Sequence, residues 1–144
     1  MVKLRHHCLF KRVSLTEGEN NAEIERKFLD FTINGYCRLE YMPHIVNGTG
    51  GPLYQIIINN ELFTKAIVHE VNMDKRTIHF TNPYIKMERD WLLHNYKVYI
   101  SDEVMYTCEK KIFERYYRIE IPNKNFFVHS LSIAVALDML SHLD

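Results

Sequence analysis

The chain has 144 residues, 47% of them hydrophobic and 25% charged, the composition of a single globular domain with one core. Its 18 basic and 18 acidic residues cancel, which argues against nucleic acid as a partner, because phosphate neutralisation supplies much of that affinity. Five Gly and four Pro are too few for a disordered or linker-rich chain, and nine Tyr and eight Phe favour strands.

In chain order, "VKLRHHCLF" has the core of a strand with an irregular pattern. "SLTEGENNAEIERK" (14–27) is polar and reads as a turn or loop leading into a short helical or extended piece. "FLDFTINGYCRLEYM" alternates about Asn34-Gly35, and Asn-Gly tolerates the positive φ of a tight hairpin turn. "NGTGG" (47–51) reads as a loop. "LYQIIINNELFTKAIVHEV" contains a second hairpin, turned at Asn59-Asn60 or Asn60-Glu61. "MDKR" (73–76) and "NP" (82–83) mark further turns, whereas 86–95 suits helix or strand equally. From Tyr96 the pattern is plainer. "YKVYI" puts Tyr96, Val98 and Ile100 on one face and Lys97 and Tyr99 on the other. "SDE" turns into "VMYTCEKKIF", with Val104, Tyr106 and Cys108 facing one way; a turn near Glu114-Arg115 then precedes "YYRIEI", "PNKN" and "FFVHSL".

The last segment, "HSLSIAVALDMLSHLD", is a helix apolar round most of its circumference, with Ser130 placed to cap its start. A helix of about 12 residues is about 18 Å long, against a hydrocarbon core of about 30 Å, so protein rather than lipid must enclose it. A curved sheet wrapped round the helix does this and hides strand edges. The expected architecture is mainly β: one domain over 1–144, a closed or nearly closed antiparallel barrel about a central hydrophobic C-terminal helix.

The strands "YKVYISDEVMYTCEKKIFERYYRIEI", followed by "SLSIAVALDML" with its "IAVALD" ending in Asp138, resemble the tubby C-terminal-like superfamily. That group includes tubby proteins, phospholipid scramblases, LURP-one-related proteins and small bacterial proteins. The resemblance is strongest over 96–144 and implies the same barrel and central helix. It also implies a role in binding rather than catalysis, with an anionic lipid headgroup or another cellular ligand as the thing bound.

Signatures of chemistry are sparse. There is no GxSxG, GxGxxG, phosphate-loop or CxxC pattern, so no catalytic residue, metal site or cofactor is expected. His6 and His7 are adjacent, so on a strand they point to opposite faces, and His79, His94 and His129 lie on separate elements without ligand spacing. Cys8, Cys37 and Cys108 read as buried reduced thiols. Two basic groups remain as ligand-binding candidates: Lys97, Lys110, Lys111, Arg115 and Arg118, with Tyr116 or Tyr117 alongside, and Lys3, Arg5, Lys11 and Arg12. Glu109, Glu114 and Glu120 interleave with the first group and would repel an anion; the second group has no acids nearby. Asp138 reads as a carboxylate near the rim of the barrel mouth, tethered to backbone amides or a Tyr hydroxyl. With no signal-like or membrane-spanning stretch, the expected setting is the cytoplasm, at most peripheral to a membrane. The alternative partner is a protein, including a second copy, since zero net charge gives little repulsion between copies.

Overall fold

The computed structural model describes residues 2–5, 12–17, 20–43, 52–72, 75–90, 95–109 and 116–142. Its strands form two antiparallel sheets. In spatial order the first contains β1 (Val2–Arg5), β12 (Tyr116–Glu120), β11 (Glu103–Glu109), β10 (Asn95–Ile100) and β9 (Ile85–Asp90). The second runs from β2 (Arg12–Glu17) through β3 (Asn20–Lys27), β4 (Asp30–Ile33), β5 (Cys37–Pro43), β6 (Pro52–Ile58) and β7 (Glu61–Asn72) to β8 (Lys75–Phe80). A helix, α1 (Phe127–His142), closes the described chain, preceded by a single 3-10 turn over Lys124–Phe126.

Every neighbour within a sheet is also a neighbour in sequence except one: β1 lies beside β12, bringing the first strand against the last. No hydrogen-bonded ladder joins β8 to β9 or β1 to β2 among the described residues, so the strands form two ladders rather than one continuous cylinder.

Local chemistry accounts for the turns. Asn59 and Asn60 both have positive φ (52° and 63°), as do Ser101 and Asp102 (48° and 65°), the geometry that matches a two-residue turn to the twist of its strands. Between β4 and β5 the turn has three residues, 34–36, of which Asn34 (53°) and Gly35 (76°) have positive φ, and Asn34 Oδ1 accepts the Glu23 N–H at 2.8 Å. Residues 81–84 link the two sheets. There Asn82 donates its N–H to Thr64 Oγ1 (3.2 Å) and its side-chain amide to Phe63 O (3.2 Å), while its Oδ1 accepts from the Tyr84 N–H (3.0 Å).

The segment 14–27 is a correction in part. Its second half is the extended alternative, β3, but its first half is strand as well, so the two form the β2–β3 hairpin on either side of residues 18–19. Ala22 and Ile24 are buried, Glu23 is half-buried and Glu25 is exposed, so the polarity that suggested a loop belongs to an outward face. The alternative at 86–95 resolves as strand through Asp90.

The helix is enclosed as its composition requires. All residues from Ser130 to Leu140 are buried, in one core with Ile33, Leu39, Tyr54 and Ile56 of one sheet and Val98, Tyr106, Cys108 and Ile119 of the other. Ser130 is not its cap, because α1 already starts at Phe127. "FFVHSL" is therefore mostly helix. Ser130 instead sits inside the helix, with Oγ donating to Met105 O at 3.4 Å.

Two β-bulges hold this end of the helix from opposite sides. One puts Phe63 as an extra residue in β7, where the register against β6 shifts between Ile56↔Thr64 and Ile57↔Leu62. The other puts Met105 as an extra residue in β11, between Val98↔Tyr106 and Tyr99↔Val104. Phe63 meets the His129 ring edge-on at 4.9 Å, and Met105 supplies the carbonyl used by Ser130. Each bulge directs one residue that the strand repeat would have pointed elsewhere.

Candidate functional site

The outer face of the five-stranded sheet carries rows of charged residues. Directly opposed residues share a face, so register fixes the rows. One row is Glu88–Lys97–Thr107–Glu120, and the next is Glu109–Arg118–Lys3. Lys97 is exposed beside exposed Glu88, whose Oε2 also accepts from Tyr99 Oη at 3.0 Å. Arg118 is half-buried, between Glu109 on β11 and Lys3 on β1.

Lys97 and Arg118 do not meet. They lie two strands and one row of side chains apart, about 12 Å from the spacing and rise of strands. The first basic group is thus divided by its own glutamates, while Lys110, Lys111 and Arg115 lie outside the described residues. The second group is divided differently. Lys3 and Arg5 stand on β1, opposite Arg118 and Tyr116, whereas Arg12 is on β2 in the other sheet, opposite Glu25; Lys11 is outside the described residues. The juxtaposition that does occur, Lys3 with Arg118, takes one member from each group.

A cleft of about 460 Å³ opens at the end of β9, β10 and β11, lined by Glu88, Arg89, Asn95, Tyr96, Lys97, Thr107, Cys108 and Glu109. Sequence reasoning picked out only Lys97 there as a binding residue. The others became legible once 86–90 was known to be strand, placing Glu88 and Arg89 beside Lys97 and Tyr96.

Beneath the cleft is a buried polar tier. Tyr106 Oη donates to Tyr96 Oη at 3.1 Å, with the rings edge-on at 5.7 Å. Burial, followed by the neighbouring Tyr106 and Cys108, holds the Tyr96 phenol well above the usual range, and burial does the same to Tyr106. Burial also pushes the Cys108 thiol up to about 12, partly relieved by its hydrogen bond to Tyr96 and reinforced by the carboxylate of Asp138. Asp138, 4% exposed, therefore belongs to this tier rather than to the rim. Cys37 is likewise pushed up to about 12 by burial, opposed by a contact with the Ser132 hydroxyl. Both cysteines are free and buried; Cys8 lies outside the described residues.

At the opposite end of α1, His129 is set edge-on to Phe63 and to Phe126 (6.0 Å), with Nδ1 buried and unpartnered. Burial lowers its pKa. Among the described residues no three His, Cys, Asp or Glu side chains converge as metal ligands, and no helix is long and apolar enough to cross a membrane. Comparison with known proteins gives no matching family model, no matching curated protein and no matching solved structure.

Proposed function

We propose that this chain is a small non-enzymatic binding domain of tubby-like architecture that recognises an anionic group, such as a phospholipid headgroup, at the periphery of a membrane facing the cytoplasm. The reading of the fold goes beyond two sheets: the ladders wrap round α1 as a nearly closed cylinder, approaching each other at β1/β2 and open between β8 and β9. The strand order supports this, since following neighbours from β9 through β12 to β1, and then from β2 to β8, visits every strand in a circle.

The observation that carries the functional reading is the register Lys3↔Arg118. Like charges directly opposite one another destabilise a sheet unless an anion or a neighbouring carboxylate offsets them. Glu109 stands opposite Arg118 on β11 and Lys3 stands opposite it on β1, so the register sets two basic residues side by side at the β1 end of the row. Arginine beside lysine suits phosphate, which takes paired donors from one and a point charge from the other.

Sedimentation with phosphatidylcholine vesicles, with and without an anionic lipid, tests this. Binding is expected only with the anionic lipid, weakening as salt rises and falling at least about tenfold in Lys3→Glu/Arg118→Glu. Lys97→Glu, beside Glu88, is expected to change it little. Equal binding to both vesicle types, or none at low salt, would overturn the proposal.

A further inference from the structure

We infer that the open edge of β9 is a self-complementary interface through which two copies of this chain pair, edge to edge, into one continuous antiparallel sheet. Residues 81–84 join β8 to β9, yet the two strands diverge directly after this link and share no ladder. The outer edge of β9 is therefore not covered by its predecessor.

Register shows which groups that edge presents. The Ser101 N–H donates to Tyr84 O at 2.9 Å, so Tyr84 and Ser101 form a hydrogen-bonded pair continuing the β9–β10 register. Hydrogen-bonded pairs alternate, so Lys86 and Glu88 also exchange main-chain bonds with β10. Met87, between them, points its N–H and C=O at the open side. Its side chain is half-buried and faces inward, whereas Lys86 and Glu88 are exposed on the outer face.

Charge then selects one two-fold register. Centring the axis on Lys86 or on Glu88 would put like charges directly opposite, a destabilising arrangement. Centring it on Met87 lets the two Met87 residues exchange main-chain hydrogen bonds. The same register sets Lys86 opposite Glu88 of the second copy, and Glu88 opposite its Lys86. These contacts fall in non-hydrogen-bonded pairs, where opposed side chains come closest. The row then reads Lys97–Glu88 in one copy and Lys86–Tyr99 in the other, with charges alternating across the join. Tyr84, 64% exposed at the start of the edge, gains cover from the end of the opposing strand. The net charge of zero imposes no long-range penalty on two copies meeting.

Sedimentation velocity and light scattering across a concentration series test the interface. The wild-type chain is expected to dimerise, more weakly at high salt. Lys86→Glu and Glu88→Lys should each weaken the dimer about tenfold or more, because each turns both cross-copy pairs repulsive. The double swap Lys86→Glu/Glu88→Lys should restore it to within about threefold. Met87→Pro removes the N–H at the axis without touching the β9–β10 ladder, so it should give a folded monomer by circular dichroism. If Met87→Pro does not fold, the charge series decides alone. A monomer at every concentration, or a dimer indifferent to the single reversals and to their combination, overturns the inference.

Discussion

Leu131 and Leu140 are nine residues apart on α1, which at 100° per residue places them on opposite sides of the helix. Both are buried, at 0% and 1% exposure. In a helix lying on a sheet one of the two would face solvent, and its truncation would cost less than about 0.5 kcal/mol. Here both face protein. Burying a leucine contributes about 1.5–3 kcal/mol, and the cavity left by alanine adds to the loss, so Leu131→Ala and Leu140→Ala should each cost about 3 kcal/mol. For a domain of this size that lowers Tm by about 10 °C. The sites are about 13 Å apart along the axis, so the double variant should lose the sum to within about 0.5 kcal/mol. Urea titrations followed by circular dichroism give these values from the shift in midpoint at unchanged slope. A loss below about 0.5 kcal/mol at either position, with the other near 3 kcal/mol, would refute enclosure and make α1 a surface helix.

Phe28 is 86% exposed in the β3–β4 turn with φ of 56°, a conformation costly for a bulky side chain, so Phe28→Gly should stabilise by about 1 kcal/mol in the same titration. His129 has a lowered pKa when folded, so its contribution is complete above its ordinary value of 6.5 and is lost as pH falls below it; His129→Phe should flatten the acid side of a stability–pH curve between pH 7 and 5. Cys37 and Cys108 have raised pKa values, so their contribution is complete below the ordinary 9.0 and declines as pH rises toward about 12. In a Cys8→Ser background a thiol reagent at pH 8 should therefore label the native chain far more slowly than the urea-unfolded chain; equal rates would show that the thiols are accessible.

What could be read in advance followed from side chains whose chemistry is local. The Asn-Gly, Asn-Asn and Ser-Asp turns were legible because few residues tolerate those backbone angles, and Asn-Pro because proline interrupts a ladder. The helix was legible because its apolar surface had to be covered by something. The β2–β3 hairpin was missed because one face of an exposed hairpin is as polar as a loop. The bulges at Phe63 and Met105 were hidden because an extra apolar residue in an apolar run leaves no mark on the alternation. The pairing of β1 with β12 was beyond local pattern, since the partners are separated by nearly the whole described chain, and it was this pairing that rearranged the two basic groups.

The interior polar groups of this fold serve the helix. Ser130 bonds Met105 O, and Ser132 Oγ donates to His129 O at 2.7 Å while touching Cys37. His129 is set against two aromatic edges, and Tyr106 is tied to Tyr96 above Cys108 and Asp138. Burial raises the pKa of the thiols and phenols in this set and so favours their protonated forms. On the reading proposed above, recognition falls to groups that the core does not employ: the outer rows of the five-stranded sheet and the outer edge of β9. These two surfaces separate experimentally. Lys3 and Arg118 lie at the β1 end of the sheet, four and three strands away from Lys86 and Glu88 on β9. An edge-to-edge dimer through β9 would carry both copies of the Lys3–Arg118 row outward, at the two extremes of a ten-stranded sheet. Vesicle binding should then gain from two-site attachment, and Glu88→Lys should lose that gain while each monomer keeps its own row.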